Sequence, residues 1–282
     1  FTIEYRAPIL QHGEVELGAY GTSKNPSRGV FAQLVAGKRF TFTQFEPMEA
    51  RRVFPCIDEP DRKVPWKLSV ETSRGELAVS NTVVEQTVER GQRTRYEFGR
   101  TRPLPSYLIA FAIGPFEVVD AGRAKSGVPI RFLVPPGHRG PATALATWTR
   151  LALDRVEQWT EIPYAYGKLD LVAVPRTGPH WWAMENAGMV TVALPALGDP
   201  REFVTTLLHE LAHHWFGDLV TMAWFDDVWL NEAFATWLAA KLRIANVPST
   251  PPEPSRPFVH ETLPDVSTIR PSLEESYDRR RL

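Results

Sequence analysis

Residues 199–217 read Asp-Pro-Arg-Glu-Phe-Val-Thr-Thr-Leu-Leu-His-Glu-Leu-Ala-His-His-Trp-Phe-Gly. Asp199 suits an N-cap, Pro200 the first helical position, and Glu202 the reciprocal place of a capping box. Phe203, Leu207, Leu211 and Phe216, with Leu208 and Trp215, recur at helical spacing, and Gly217 suits the stop. The stretch therefore predicts an amphipathic helix. On it His209 and His213 fall one turn apart on the same face, while Glu210 points to a neighbouring one. A second helix is predicted from near Asp227 to about Asn246, with Phe234, Leu238 and Leu242 as its buried stripe. Glu232 lies in its first turns, where a short loop can return it towards the histidines.

Two histidines one helical turn apart, a glutamate between them and a second glutamate downstream form the layout of a catalytic Zn2+ site. Three protein ligands, His209, His213 and Glu232, leave a fourth position for water, which separates catalytic zinc from structural zinc. Glu210 is left free to act as a base. The other reading is a pair of buried helices with a polar patch, but buried His and Glu need partners, and a metal supplies them. His214 points away from the ligand face, to a place behind the ligands or at the surface.

The remainder of the composition sets bounds. The chain has 282 residues, 43% hydrophobic and 23% charged, which are globular values with room for two domains. A net charge of −1 argues against a general nucleic-acid or membrane-surface binder. One cysteine, Cys56, rules out an intrachain disulfide, and its setting in Phe54-Pro55-Cys56-Ile57 reads as a small core residue. No apolar run approaches the roughly 18 residues of a membrane span, so a soluble protein is expected. Phe1 is not a methionine and no signal-like segment follows, which reads as a processed chain or a piece of a longer one; compartment and oligomeric state stay open.

The fold class expected is α+β. Up to about residue 120 the chain reads as β-structure. Phe40–Thr43, Trp66–Val70 and Thr94–Phe98 alternate apolar and polar side chains, and Tyr107–Ile113 is a continuous apolar run expected of a strand buried on both faces. A boundary is expected near Asp120–Arg123. Val128–Val134 and Leu169–Val174 read as strands. Pro141–Thr160 reads as a helix with Leu145, Trp148, Ala152, Val156 and Trp159 on its buried face. After Asn246 periodicity is lost, and seven prolines run from Pro248 to Pro271. The expected organisation is a β-rich domain over 1–122, a catalytic domain over 123–246 and a Pro-rich segment over 247–282. Arg279–Arg281 reads as a solvated charge run.

Several blocks in order carry a resemblance. They are Thr43-Gln44-Phe45-Glu46-Pro47, Ala50-Arg51-Arg52, Pro55–Pro60, Tyr107–Phe111, Ala183-Met184-Glu185-Asn186 and His209–Trp237. Together they resemble the aminopeptidase N family of zinc metallopeptidases, the gluzincins with a thermolysin-like catalytic domain. The resemblance implies a saddle-like N-terminal β-domain, or β-sandwich, packed on a mixed α/β zinc domain. It implies His209, His213 and Glu232 as ligands and Glu210 as catalytic base. It further implies Glu185 as the binder of the substrate's free α-amine, Glu46 as a second anionic anchor, and Ala183 and Met184 beside them in the substrate-binding set. The implied substrates are peptides with a free N-terminal amine. Without the resemblance, Glu185 reads as a capping carboxylate and Glu46 as a surface strand residue.

The sequence departs from the family in three places. Trp182, after His180 and Trp181, stands where the family has Gly, and His214 where it has Gln. The family's transition-state Tyr falls beyond Leu282, and Tyr277 lacks the following Lys-Gly, so it is not assigned that role. These departures imply a minimal version of the core whose zinc site is intact while turnover is impaired. They leave two further readings, a zinc-bearing peptide-binding module and an epoxide hydrolase of the leukotriene-hydrolase branch. Glu46 argues against the latter, which tends to have Gln there.

Overall fold

A computed structural model describes residues 10–14, 28–175 and 183–249 of the chain. The expectations for His180–Trp182, Tyr277, Arg279–Arg281 and most of the Pro-rich segment fall outside the described residues. The N-terminal part carries β1 (Leu10–Glu14), β2 (Gly29–Val35), β3 (Lys38–Gln44), β4 (Val64–Pro65), β5 (Ser69–Ser73), β6 (Leu77–Ser80), β7 (Val84–Arg90), β8 (Arg93–Phe98), β9 (Pro103–Leu104) and β10 (Phe111–Gly114). It is followed by β11 (Glu117–Arg123), β12 (Pro129–Val134), helix α1 (Arg139–Thr160), β13 (Leu169–Val174), β14 (Ala183–Met184) and β15 (Met189–Ala193). Helices α2 (Pro200–His213) and α3 (Val228–Lys241) complete an α+β architecture.

One five-stranded sheet has the order β1-β2-β3-β10-β6, and a second has the order β11-β12-β13-β15-β14. In the second, β12, β13 and β15 are parallel, with α1 as the crossover between β12 and β13, and β14 is an antiparallel edge strand. The two sheets share a core: Phe31, Phe40 and Phe42 of the first pack with Leu133, Val172, Val174 and Met189 of the second. This contact fixes the N-terminal strands relative to the helices. β11 runs across residue 122 and pairs with β12, so the strands change sheet between Gly114 and Glu117.

Four sequence expectations need correction. Tyr107–Ile113 is not one strand. Ser106–Leu108 forms a 3-10 turn after Pro105, and only Phe111–Gly114 is extended in the sheet. The buried main chain between them is satisfied by a side chain instead of a strand. Asn81 donates to Leu108 O at 2.8 Å and accepts from Ala110 N at 2.9 Å. A continuous apolar run records burial on all sides, and an amide side chain can serve that burial as well as a ladder can. Of Trp66–Val70 only Ser69 and Val70 are extended, at the start of β5; Trp66–Leu68 link β4 to β5, with the Trp66 indole donating to Leu104 O at 2.9 Å.

The third concerns helix ends. α2 stops at His213 and not at Gly217; the chain continues through turn hydrogen bonds, Asp218 N to His213 O at 2.9 Å and Gly217 N to Val220 O at 2.7 Å. α3 stops at Lys241, well before Asn246, with Leu238 buried, Phe234 and Leu242 half-buried, and Trp229, Leu230 and Trp237 exposed. Cys56 is half-buried beside the core and not within it, and burial pushes its thiol up to about 11. No helix among the described residues is long and apolar enough to cross a membrane.

Candidate metal centre

α2 begins as its sequence predicts. The Asp199 carboxylate accepts from Arg201 N at 2.8 Å and Glu202 N at 3.2 Å, and Pro200 occupies the first turn. Phe203, Leu207, Leu208 and Leu211 are buried and fix the helix's rotation, Phe203 packing on Phe132 of β12. That rotation turns His209 and His213 to one side, where α3 presents Glu232. His209 Nε2 lies 3.0 Å from His213 Nε2 and 3.2 Å from Glu232 Oε2, and His213 Nε2 lies 3.6 Å from Glu232 Oε1.

These spacings test whether a metal fits. Metal–ligand bonds of about 2.0–2.2 Å in a tetrahedron set neighbouring ligand atoms roughly 3.3–3.6 Å apart. The two Nε2 atoms and the two oxygens of the Glu232 carboxylate stand close to that spacing, each imidazole nearest a different oxygen. Among the described residues, His209, His213 and Glu232 form the group able to hold a metal ion. The outer ring nitrogens are also engaged. His213 Nδ1 lies 3.3 Å from Phe216 O, and His209 Nδ1 lies 3.4 Å from Thr236 Oγ1. A carbonyl facing Nδ1 favours a proton there and leaves the Nε2 lone pair for a metal. Sequence reading did not find these supports. Thr236 could have been found as the residue one turn past Glu232, whereas the Phe216 carbonyl has no side-chain signal.

The electrostatics around the centre are those of crowded carboxylates. Burial pushes Glu210 well above the usual carboxylate range, and the charge of Glu185 pushes the same way. Burial also raises Glu46, again with Glu185 and then Glu232 contributing. Glu185 is raised by burial and Glu232, against the pull of His213. Glu232 behaves oppositely. Burial disfavours its charge, but His213 and His209 outweigh that and hold it below the ordinary range. His213 loses solvation by burial, yet Glu185 and Glu232 raise it on balance. Four carboxylates that feel one another and two imidazoles make a pocket suited to a divalent cation and a substrate cation.

Glu210 is buried on α2 and lines a small cleft together with Ala183, Leu171 and Thr206. Glu185 follows β14 and is buried, while Glu46 follows β3 and is half-buried. Met184 turns its side chain into the protein, where Gln44 Nε2 donates to its sulfur at 3.3 Å. What Met184 can offer a substrate is therefore main chain. Ala183 is half-buried at the sheet edge.

His214 is buried and lies behind the ligands, not at the surface. Burial lowers its imidazole to about 3. It packs with Tyr164 and Tyr166, and its Nε2 is 3.7 Å from Asp218 Oδ2. Lys63, from the N-terminal part, donates to Asp218 O at 2.7 Å, Leu219 O at 3.0 Å and Thr221 Oγ1 at 2.9 Å. It thereby ties the turn after α2 to the β-rich half.

Comparison with known proteins gives the family. The model of the peptidase M1 N-terminal domain matches residues 1–108, and that of the peptidase family M1 domain matches residues 146–263. The chain is 37% identical over 237 residues to "Probable aminopeptidase 1" of Sulfurisphaera tokodaii, covering 81% of this chain and 30% of that protein. It is 32% identical over 246 residues to "Aminopeptidase M1" of Arabidopsis thaliana (82% and 28%) and 36% identical over 211 residues to human "Glutamyl aminopeptidase" (71% and 22%). The chain belongs to the M1 family, the aminopeptidase N family of metallopeptidases. It spans less than a third of the length of these relatives.

Proposed function

We propose that this chain carries the centre of a zinc aminopeptidase that hydrolyses the N-terminal bond of peptides. The observation that supports it is the convergence of His209, His213 and Glu232, with Glu210, Glu185 and Glu46 close enough to shift one another's ionisation. The reading includes a saddle-like or sandwich-like β-domain and a thermolysin-like zinc domain, joined before Glu117. The nitrogen–nitrogen–oxygen donor set and its near-tetrahedral spacing suit Zn2+.

Bound zinc would polarise the scissile carbonyl and make water a nucleophile at neutral pH. The chain's own residues do the rest. Glu210, raised by burial, accepts a proton from the attacking water and returns it to the leaving amine. Glu185 and Glu46 face the substrate's α-ammonium and hold it by charge, fixing one residue's length between the amine and the scissile bond. The main chain at Ala183 and Met184 lines the substrate backbone on the edge strand. The binding-module and epoxide-hydrolase readings are less favoured, since the relatives reported above carry aminopeptidase names.

The test is zinc content together with release of a fluorophore from aminoacyl and N-blocked aminoacyl amides. The expected result is one zinc per chain, cleavage of the free-amine substrate and loss of cleavage on blocking. In Glu185→Ala, KM should rise about tenfold or more with zinc retained. Equal cleavage of both substrates, or an unchanged KM in that variant, would remove the exopeptidase reading.

A further inference from the structure

Residues 185–188 join the edge strand β14 to β15 and begin with Glu185. Met189 N donates to Asn186 O at 2.8 Å and closes a tight turn over Ala187 and Gly188. The two carbonyls at the centre of this turn are held as well. Lys168 Nζ and Asp170 N donate to Gly188 O at 2.9 and 3.1 Å, on the side that leads into β15. Asn81 Nδ2 donates to Ala187 O at 2.9 Å, the carbonyl nearer Glu185. Asn81 belongs to the N-terminal part of the molecule, one residue past β6. It is buried, and every polar atom of its carboxamide is engaged. Nδ2 also donates to Leu108 O at 2.8 Å, and Oδ1 accepts from Ala110 N at 2.9 Å. Two donated bonds and one accepted bond suit an amide; a carboxylate lacks the donors and an apolar side chain lacks all three. The Asn81 main chain bears on the same turn, because a Cβ on Gly188 would lie 2.4 Å from Asn81 O.

Asn81 therefore grips the turn with side chain and main chain together, from across the junction of the two sheets. We propose that Asn81 is a positioning residue for recognition of the substrate amine: it fixes the main chain from which the Glu185 carboxylate is presented. Its side-chain hydrogen bonds go to main chain, so it acts through the Glu185 backbone and not on the substrate. An anchor that works at a fixed distance tolerates little drift, since a misplacement of about 1 Å can cost up to about a hundredfold. The inference rests on the aminopeptidase reading and adds to it a residue of the β-rich part that serves amine recognition.

The experiment compares zinc-loaded wild type, Asn81→Ala, Asn81→Asp, Glu185→Ala and the double variant Asn81→Ala with Glu185→Ala on a leucyl fluorogenic amide and its N-acetyl form. Ser80→Ala is the control, because Ser80 Oγ donates to Ala110 O at 2.7 Å, beside Asn81 but away from the turn. Zinc content and thermal melting are recorded for each. Asn81→Ala should raise KM for the free amine about tenfold, change kcat by less than about threefold and keep zinc. Asn81→Asp keeps the volume but loses both donors, and should raise KM at least as much. Ser80→Ala should leave KM within about twofold of wild type even where it lowers the melting temperature. In the Glu185→Ala background, removing Asn81 should change KM by less than about twofold, because the group that it places is gone. Calorimetric binding of L-leucinamide to the same zinc-loaded proteins gives the comparison without turnover. An unchanged KM in folded Asn81→Ala would overturn the proposal, as would an equal rise of KM in both backgrounds. Loss of fold or zinc in both Asn81 variants would also overturn it, by making Asn81 a residue of the fold alone. If Glu185→Ala raises KM and Asn81→Ala does not, the positioning role fails and the aminopeptidase reading stands. If wild type neither cleaves nor binds the amide, the aminopeptidase reading fails and takes this role with it.

Discussion

Glu210 sits one position after His209, and the role proposed for it depends on its not joining the proposed metal ligands. Helix geometry turns it off the His209–His213 face, and burial in the cleft beside Ala183 raises its carboxyl. A carboxylate so placed is a better base than an exposed one, since its proton affinity lies closer to that of the groups it serves. Glu210→Gln is isosteric and leaves the ligands in place. We expect kcat to fall by about 10²–10⁴-fold while zinc content stays at one per chain, measured by steady-state hydrolysis and elemental analysis. Retained turnover in the zinc-loaded variant would reassign the base. The pairing of His209 and His213 was legible in the sequence because helical spacing converts directly into a shared face, and Glu232 only as a carboxylate that a short loop could return towards them. Thr236 and the Phe216 carbonyl were not, since a hydroxyl or a main-chain oxygen beside an imidazole is defined by distance and not by residue type.

The elements that carry these residues are set by local rules to different degrees. The start of α2 follows from Asp199, Pro200 and Glu202, and the Asp199 carboxylate accepts from two N–H groups of the first turn. Asp199→Ala should cost about 1 kcal/mol, read as a lower urea midpoint with an unchanged slope. The segment bearing Glu185 follows no propensity. Its Gly188 has φ +73°, and a Cβ there would lie 2.4 Å from the Asn81 carbonyl oxygen. Gly188→Ala therefore meets both a left-handed backbone and a main-chain atom that cannot move aside. We expect a loss of roughly 2–4 kcal/mol by urea unfolding and a raised KM, because Asn81 also holds Ala187 next to Glu185. A stability equal to wild type would show that the segment adapts. Tyr107–Ile113 illustrates the limit of pattern reading: its apolarity recorded burial, but Asn81, far away in sequence, decided that most of it would not be a strand.

Across the two halves, Phe31, Phe40 and Phe42 share a core with Leu133, Val172 and Met189, and Glu46, which follows β3, feels the charges of Glu185, Glu232 and His213. Behind the same sheet lies a buried charge cluster. Arg131 donates to both oxygens of Asp170 at 2.8 and 2.7 Å, and Lys168 Nζ is 2.9 Å from Oδ2 while also holding Gly188. Burial would raise Asp170, but Lys168 and Arg131 outweigh it and lower its carboxyl below 3.8. A carboxyl depressed on folding stabilises above its unfolded pKa of about 3.9, and that stability is lost as pH falls through the folded value. The stability of the metal-free protein should thus fall more steeply below about pH 4 in wild type than in Asp170→Asn. That variant itself should lose about 3–5 kcal/mol at pH 6, since Lys168 is left buried and unpaired. Parallel pH profiles would count against the cluster.

Reading the chain alone was enough for the helix that carries His209 and His213, its cap, the α+β class and the family, because each is written in spacing of a few residues or in ordered blocks. It did not place the change of sheet, the end of α3, the burial of Met184 or the surroundings of His214. Those depend on which distant groups compete for the same buried main chain and the same low-dielectric space. Such competition is resolved only when the sheets and helices have packed against one another.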